Sequence, residues 1–257
     1  MARKRNRAAA RLPFAEELNH NERLDLIGKY FVDVTRRLIG GKKPKNHMVI
    51  GDIHHDGLDA LLEAKAVGSP SDLRIFTNQL ERLMDSANGF PGYSHCHYAL
   101  WFYKNWKGVR YGEKNGVARK THYFRPLGRE TPTETDLNRF LARETVSMWL
   151  VDGRILQALA EREESTKVSV QWHKPSMIVR ANRKSLQTIV DDPVKRLASL
   201  KLDPNEFLIR HMKVAIRFRR NLMRFEITLI LPKKQARNVT KLIRERIVER
   251  NAKKKAT

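Results

Sequence analysis

KVAIRFRRNLMRFEITLILP, residues 213–232, is the stretch that decides the fold. Val214, Ile216 and Phe218 alternate with Lys213, Ala215, Arg217 and Arg219. Past a turn at Arg220-Asn221, Phe225, Ile227, Leu229 and Leu231 alternate with Arg224, Glu226 and Thr228. A period of two sends one set of side chains to a core and the other to the opposite sheet face. Two such runs joined by a short turn predict an antiparallel hairpin, which Pro232 ends. The same alternation gathers Lys213, Arg217, Arg219 and Arg224 into a cation row opposite the core, a surface suited to a phosphodiester backbone.

Outward from this hairpin the signals are mixed. Downstream, Val239, Leu242, Ile243 and Ile247 predict a helix over 235–250, followed by a Lys-rich tail at 251–257. Upstream, Leu24, Ile27, Phe31, Val34 and Leu38 recur at steps of three and four, and Gly40-Gly41 closes that helix. Residues 47–53 read as a short strand. Ser71 reads as the cap of a helix carrying Leu73, Phe76, Leu80, Leu83 and Ala87. His95 to Lys104 reads as an aromatic strand, and 108–123 as a hairpin turning at Asn115-Gly116. A helical stretch is expected from Thr133 or Thr135 to about Glu163, broken near Asp152-Gly153. A second hairpin is expected from Val168 to Val179. Interspersed helices and hairpins predict an α+β fold: antiparallel hairpins form a sheet packed by helices on one face. The expected organisation is a basic disordered arm at 1–12, one domain at 13–250 with a possible seam near 128–133, and the basic tail.

The 257 residues carry 51 Lys and Arg against 28 Asp and Glu, a formal charge of +23, with 41% hydrophobic residues. The apolar share is too high for a wholly disordered polybasic chain. The single cysteine, Cys96, excludes an internal disulfide framework and any multi-cysteine zinc module, and it fits an intracellular setting, cytoplasm or nucleoid. No apolar run reaches the roughly 20 residues of a membrane helix. So large a cation surplus calls for a polyanion, and nucleic acid is the commonest one inside cells. An anionic membrane is the weaker expectation, because the C-terminal helix is basic and aliphatic without a Trp- or Phe-rich face. DNA is favoured over RNA as the partner. Besides the hairpin row, the expected contacts are Arg3, Lys4, Arg5 and Arg7 in the arm, Trp106 and Lys107 after the aromatic strand, and Arg110, Arg119 and Lys120 in the 108–123 hairpin. Trp106 would offer a stacking face beside the cations.

The segment YSHCHYALWFY, residues 93–103, places His95 and His97 on one face of a strand with Cys96 opposite. Two imidazoles at that spacing can share a divalent cation. A His-x-His strand following a strand–helix unit resembles the metal-binding strand of HUH-type endonucleases, among them rolling-circle initiators and relaxases. The resemblance covers about the first half of the chain. It implies a replication-type nickase of a phage, plasmid or other mobile element, with Mg²⁺ or Mn²⁺ at His95 and His97 and a tyrosine nucleophile. No tyrosine follows Tyr123, so Tyr123, or Tyr30 in the N-terminal helix, would supply the attacking hydroxyl. The segment MVIGDIHHDGLDALL, residues 48–62, is similar to the first motif of calcineurin-like metallophosphoesterases, with Asp52 and His54 in the ligand positions. The downstream blocks are missing in the required order, so no dinuclear site can be assembled. Asp52 or His54 is instead expected to approach His95 and His97 and complete a single metal site. The alternative is non-enzymatic: a structural or packaging component of a nucleoprotein or ribonucleoprotein particle.

Overall fold

The computed structural model describes residues 20–44, 51–67, 73–89, 93–103, 145–163, 178–181, 183–218 and 221–255. The basic arm, the 108–123 hairpin and the proposed seam lie outside them. Helix α1 spans His20–Ile39. Strands β1 (Ile53–His55) and β2 (Ala60–Val67) are joined by a 3-10 turn at 56–58. Strand β3 (Leu73–Phe76) leads into α2 (Thr77–Gly89), and β4 is His95–Tyr103. Then come β5 (Thr145–Asp152), α3 (Gly153–Glu163), β6 (Ile178–Ala181), α4 (Arg183–Asp191) and α5 (Pro193–Ser199). The long hairpin β7 (Phe207–Phe218) and β8 (Asn221–Pro232) precedes α6 (Lys233–Lys255).

Six strands form one sheet in the order β1-β2-β4-β5-β8-β7, and β3 pairs with β6 in a separate two-stranded sheet. The large sheet is mixed. β2 runs parallel to β4 and β5 parallel to β8, while the other three pairings are antiparallel. The expectation of a hairpin-built sheet therefore holds only at the edges. Each parallel pair needs a crossover, and α2 and α3 lie in those two crossovers. This also corrects the expected single helical layer, since helices cover both faces. On one face, α1 and α6 bury Phe31, Leu38, Val239 and Ile243 against Leu62, Trp101, Leu150 and Phe225. On the other, α2, α3, α4 and α5 bury Leu83, Leu156, Ile189 and Leu197 against Tyr98, Leu100 and Val151.

Two elements differ from the sequence reading for a clear reason. Residues 145–152 form a strand where a helix was expected. β5 lies between β4 and β8 with both faces covered, so its apolar side chains run almost continuously and the period-two signal disappears. Residues 73–76 form β3, so the helix begins at Thr77, six residues after Ser71. Met177–Val179 was expected to fold back on Val168–Trp172. In the structure 178–181 pairs with β3, and the other half of that hairpin lies outside the described residues. The C-terminal helix runs on through the expected tail to Lys255.

Candidate functional site

β4 is the strand that positions the site. It sits between β2 and β5, and its side chains alternate between the two layers. Cys96, Tyr98 and Leu100 enter the α2/α3 layer, while Ala99 and Trp101 enter the α1/α6 layer together with the His95–His97 side. Trp101 fixes α1 on the sheet. Its indole Nε1 donates to Thr35 Oγ1 at 2.9 Å, and its ring lies 4.9 Å from that of Phe31.

His95 and His97 stack with ring centroids 5.8 Å apart and planes inclined by 15°. His97 is wholly buried, and neither ring nitrogen has a hydrogen-bond partner among the described residues. Register pairs His97 with Asp152, the last residue of β5. Asp152 Oδ2 lies 3.7 Å from His97 Nδ1, too long for a hydrogen bond but close enough to act on its charge. Burial pushes the His97 pKa down to about 4, against the opposing pull of Asp152. The ring is therefore neutral at pH 7, the form that offers a lone pair to a metal or a proton.

Asp152 is itself held. Its Oδ1 accepts from the backbone N–H of Arg154 at 3.0 Å and from Arg154 Nε at 3.1 Å, so Asp152 caps α3. Arg154 then reaches Glu206 at 3.0 Å and lies over the Phe207 ring. Between Asp152 and Arg154, Gly153 lets α3 approach β4. A Cβ there would stand 2.9 Å from Cys96 Sγ and 3.2 Å from the Cys96 carbonyl oxygen.

The third side is the start of α6. Gln235 is buried; its Nε2 donates to the Leu58 carbonyl at 2.8 Å, while its Oε1 has no partner among the described residues. Its amide comes within weak hydrogen-bonding reach of the His97 ring, short of normal hydrogen-bond geometry, and favours the charged ring. His97, Asp152 and Gln235 thus converge where β4 begins, β5 ends and α6 starts, beside the partly exposed His95. His55, a neighbour on this side, is fully engaged. Its Nε2 meets the Ile39 carbonyl at 2.8 Å, and its Nδ1 accepts from Leu58 N at 3.2 Å.

The Gln235 amide oxygen is a donor that suits Mg²⁺ or Mn²⁺, while the two imidazoles suit softer divalent ions better. Counting only His, Cys, Asp and Glu, no group of three among the described residues is placed to hold an ion. A site here therefore needs the Gln235 amide.

Asp52 and His54 do not join it. Ile53 pairs with Leu62, and Leu62 with His97, so these three share a sheet face. Asp52 and His54 flank Ile53 and point to the other face. The expected completion of the metal site by either residue is not met. Asp52 accepts from Ala64 N at 2.9 Å and lies beside Glu63, while the His54 ring meets the Tyr93 ring edge-on. Burial, followed by repulsion from Glu63, pushes the Asp52 pKa up to about 6.

The tyrosines are also dispersed. Tyr30 is buried against Phe31 in the cluster around Trp101, and Trp101 lies four residues along β4 from His97, a rise of about 13 Å. Tyr98 points to the far face, and Tyr93 donates to Asp56 at 3.1 Å. Tyr123, Trp106, Lys107, Arg110, Arg119, Lys120, Arg219 and the arm cations Arg3, Lys4, Arg5 and Arg7 lie outside the described residues. Lys213 and Arg224 are exposed on the hairpin face as expected, although Glu226 stands opposite Lys213. Arg217 lies in register with them in β7.

Asp152 and Gln235 escaped the sequence reading. Asp152 falls at the expected break in a helix, where the structure has the end of a strand. Its signal was Val-Asp-Gly ahead of Ile155, Leu156 and Leu159, an apolar strand end followed by a cap and a helical period. Gln235 had no sequence signal, because nothing local marks an amide that returns to a 3-10 turn 177 residues upstream.

Comparison with protein-family models, with curated protein sequences and with solved structures finds no match. Among the described residues, no helix is long and apolar enough to cross a membrane.

Proposed function

We propose that this chain binds nucleic acid through its surplus cations and holds a divalent cation at His95 and His97 against a phosphodiester, as a DNA nickase of replication type would. The observation that carries the reading is His97: a wholly buried imidazole set between the Asp152 carboxylate and the Gln235 amide, with no hydrogen bond of normal geometry to either. A buried polar group left unsatisfied costs about 1–3 kcal/mol, so a chain that keeps one has a use for it. A bound Mg²⁺ or Mn²⁺ would supply Lewis-acid polarisation of the scissile phosphate. His95 and His97 would hold that ion, Asp152 would orient the His97 ring, and Gln235 would offer its amide oxygen. The nucleophile would come from Tyr123 or a bound water, since Tyr30 is packed in the Trp101 cluster.

The test is nicking of single-stranded DNA by the purified chain with Mg²⁺ or Mn²⁺. Wild-type protein should cleave, and His95→Ala with His97→Ala should not, with binding retained. Intact substrate in every wild-type reaction overturns the catalytic reading. It would leave the second one, a non-enzymatic component of a nucleoprotein or ribonucleoprotein particle. The dispersal of Tyr30, Tyr93 and Tyr98 away from His97 favours that second reading.

A further inference from the structure

The helix that brings Gln235 to His97 carries ten Lys and Arg against two Glu in its 23 residues. Its two sides are sharply unlike. Ala236, Val239 and Ile243 are buried against the sheet. Lys234, Arg237, Lys241 and Arg244 are all exposed and recur at steps of three and four, so they form one row along the outer side. Only Lys241 has a carboxylate partner among the described residues, Glu245 at 3.8 Å. The row begins in the turn that carries Gln235 and leads away from the histidines.

From this placement we infer that the outer face of α6 is the track for one phosphodiester strand, which it guides to the His95–His97 end of the sheet. Neighbours at these steps stand about 5–6 Å apart, a spacing that lets a flexible strand meet one cation per phosphate. An anionic bilayer fits less well, because an interfacial helix needs a broad free apolar side, and α6 packs Ala236, Val239 and Ile243 on the sheet and leaves only Val248 as an exposed large apolar side chain among the described residues. The hairpin cations Lys213 and Arg224 belong to the face away from α6, so a strand on α6 does not reach them. The inference rests on the nucleic-acid reading but not on catalysis.

The experiment is titration of the full chain with a fluorescent single-stranded oligonucleotide over a range of salt. Lys234→Gln, Arg237→Gln, Lys241→Gln and Arg244→Gln combined should lower the slope of log K against log salt by about 3, at roughly 0.7 per phosphate contact, and weaken binding on the order of a hundredfold near 0.15 M salt. Lys234→Gln with Arg237→Gln should give about half the slope change, and Arg237→Lys with Arg244→Lys should bind as wild type. His95→Ala with His97→Ala should leave the slope unchanged while abolishing any nicking. An unaltered slope in the fourfold variant overturns the track, whether or not the wild type nicks. So does a slope loss confined to Lys213→Gln with Arg224→Gln, or a preference for phosphatidylserine vesicles over oligonucleotide. A lowered slope in a chain that never nicks upholds the track and removes the catalytic reading alone.

Discussion

Replacing Asp52 with Asn should stabilise the protein at neutral pH, and the gain should vanish in acid. Asp52 lies partly buried at the start of β1, with Glu63 beside it. Its carboxyl is raised from 3.8 to about 6, first by burial and then by Glu63, while the Ala64 N–H and Lys65 pull the other way. Between those two values the folded state holds a proton that the unfolded chain has released. Stability from this group therefore falls as pH rises through the window and reaches its floor above pH 6. A displacement of this size corresponds to an upper limit of about 3 kcal/mol, reduced by the remaining solvent contact. Asn keeps an oxygen for the Ala64 N–H and carries no charge at any pH. Urea unfolding at pH 8 should then show the variant more stable by about 1–3 kcal/mol, and the two proteins should converge near pH 4. Lys65 stays with Glu63 at 2.8 Å, and Gln79 donates to the same carboxylate at 2.7 Å, so the partner acid is not stranded. A variant less stable at pH 8, or a gain that does not change between pH 8 and pH 4, would refute the assignment of Asp52 as a charge held against its preference.

Three further outcomes are expected. His97→Leu should raise apo stability by about 1–3 kcal/mol in urea unfolding by removing an unsatisfied imidazole, and Mn²⁺ should raise the Tm of wild type but not of this variant; a destabilised variant, or equal Mn²⁺ shifts, would count against a ligand role. Thr35→Val should cost about 1–3 kcal/mol, because Trp101 Nε1 loses its buried acceptor; urea unfolding with an unchanged midpoint would show that α1 does not depend on that bond. Gly153→Ala should cost about 1–3 kcal/mol through the clash with Cys96; Cys96→Ala in the same chain should recover part of it, and purely additive losses would show that the two residues do not meet.

The elements legible in the sequence are those with one face bare or one side polar. The tip half of the hairpin β7–β8, helix α6 and α1 from Gly28 onward show clean periods because solvent lies on one side of each there. β5 was lost because both its faces are covered, and Val146, Met148, Trp149, Leu150 and Val151 are all buried. β3 was lost for a different reason. Leu73 and Phe76 suit a helical step of three as well as a short strand, and pairing with β6 decides between them. The mixed sheet itself was out of reach, since parallel pairing depends on crossovers more than on any local pattern. At the site, the His-x-His spacing identified the strand and the shared face correctly. What it could not supply was the neighbours, and neighbours determine whether a histidine pair is engaged or free.

That distinction separates two strands of this chain that each carry a pair of histidines. His54-His55 and His95-x-His97 look equally promising as letters. In three dimensions His55 is consumed by Ile39 and Leu58, and it serves to close the 3-10 turn under the end of α1. His97 has no such employment. It is buried more deeply, yet its nitrogens make no hydrogen bond of normal geometry to Asp152 or Gln235, two residues from elements distant in sequence. Gln235 reaches that position only because α6 begins directly after β8, and the same helix start begins the row of exposed cations. A single event in folding, the docking of α6 on the sheet, therefore both assembles the histidine site and lays the basic track beside it. Disrupting the docking through Val239 or Ile243 would on this account lower oligonucleotide binding and ion binding together, whereas charge removal from the outer row would lower only the first.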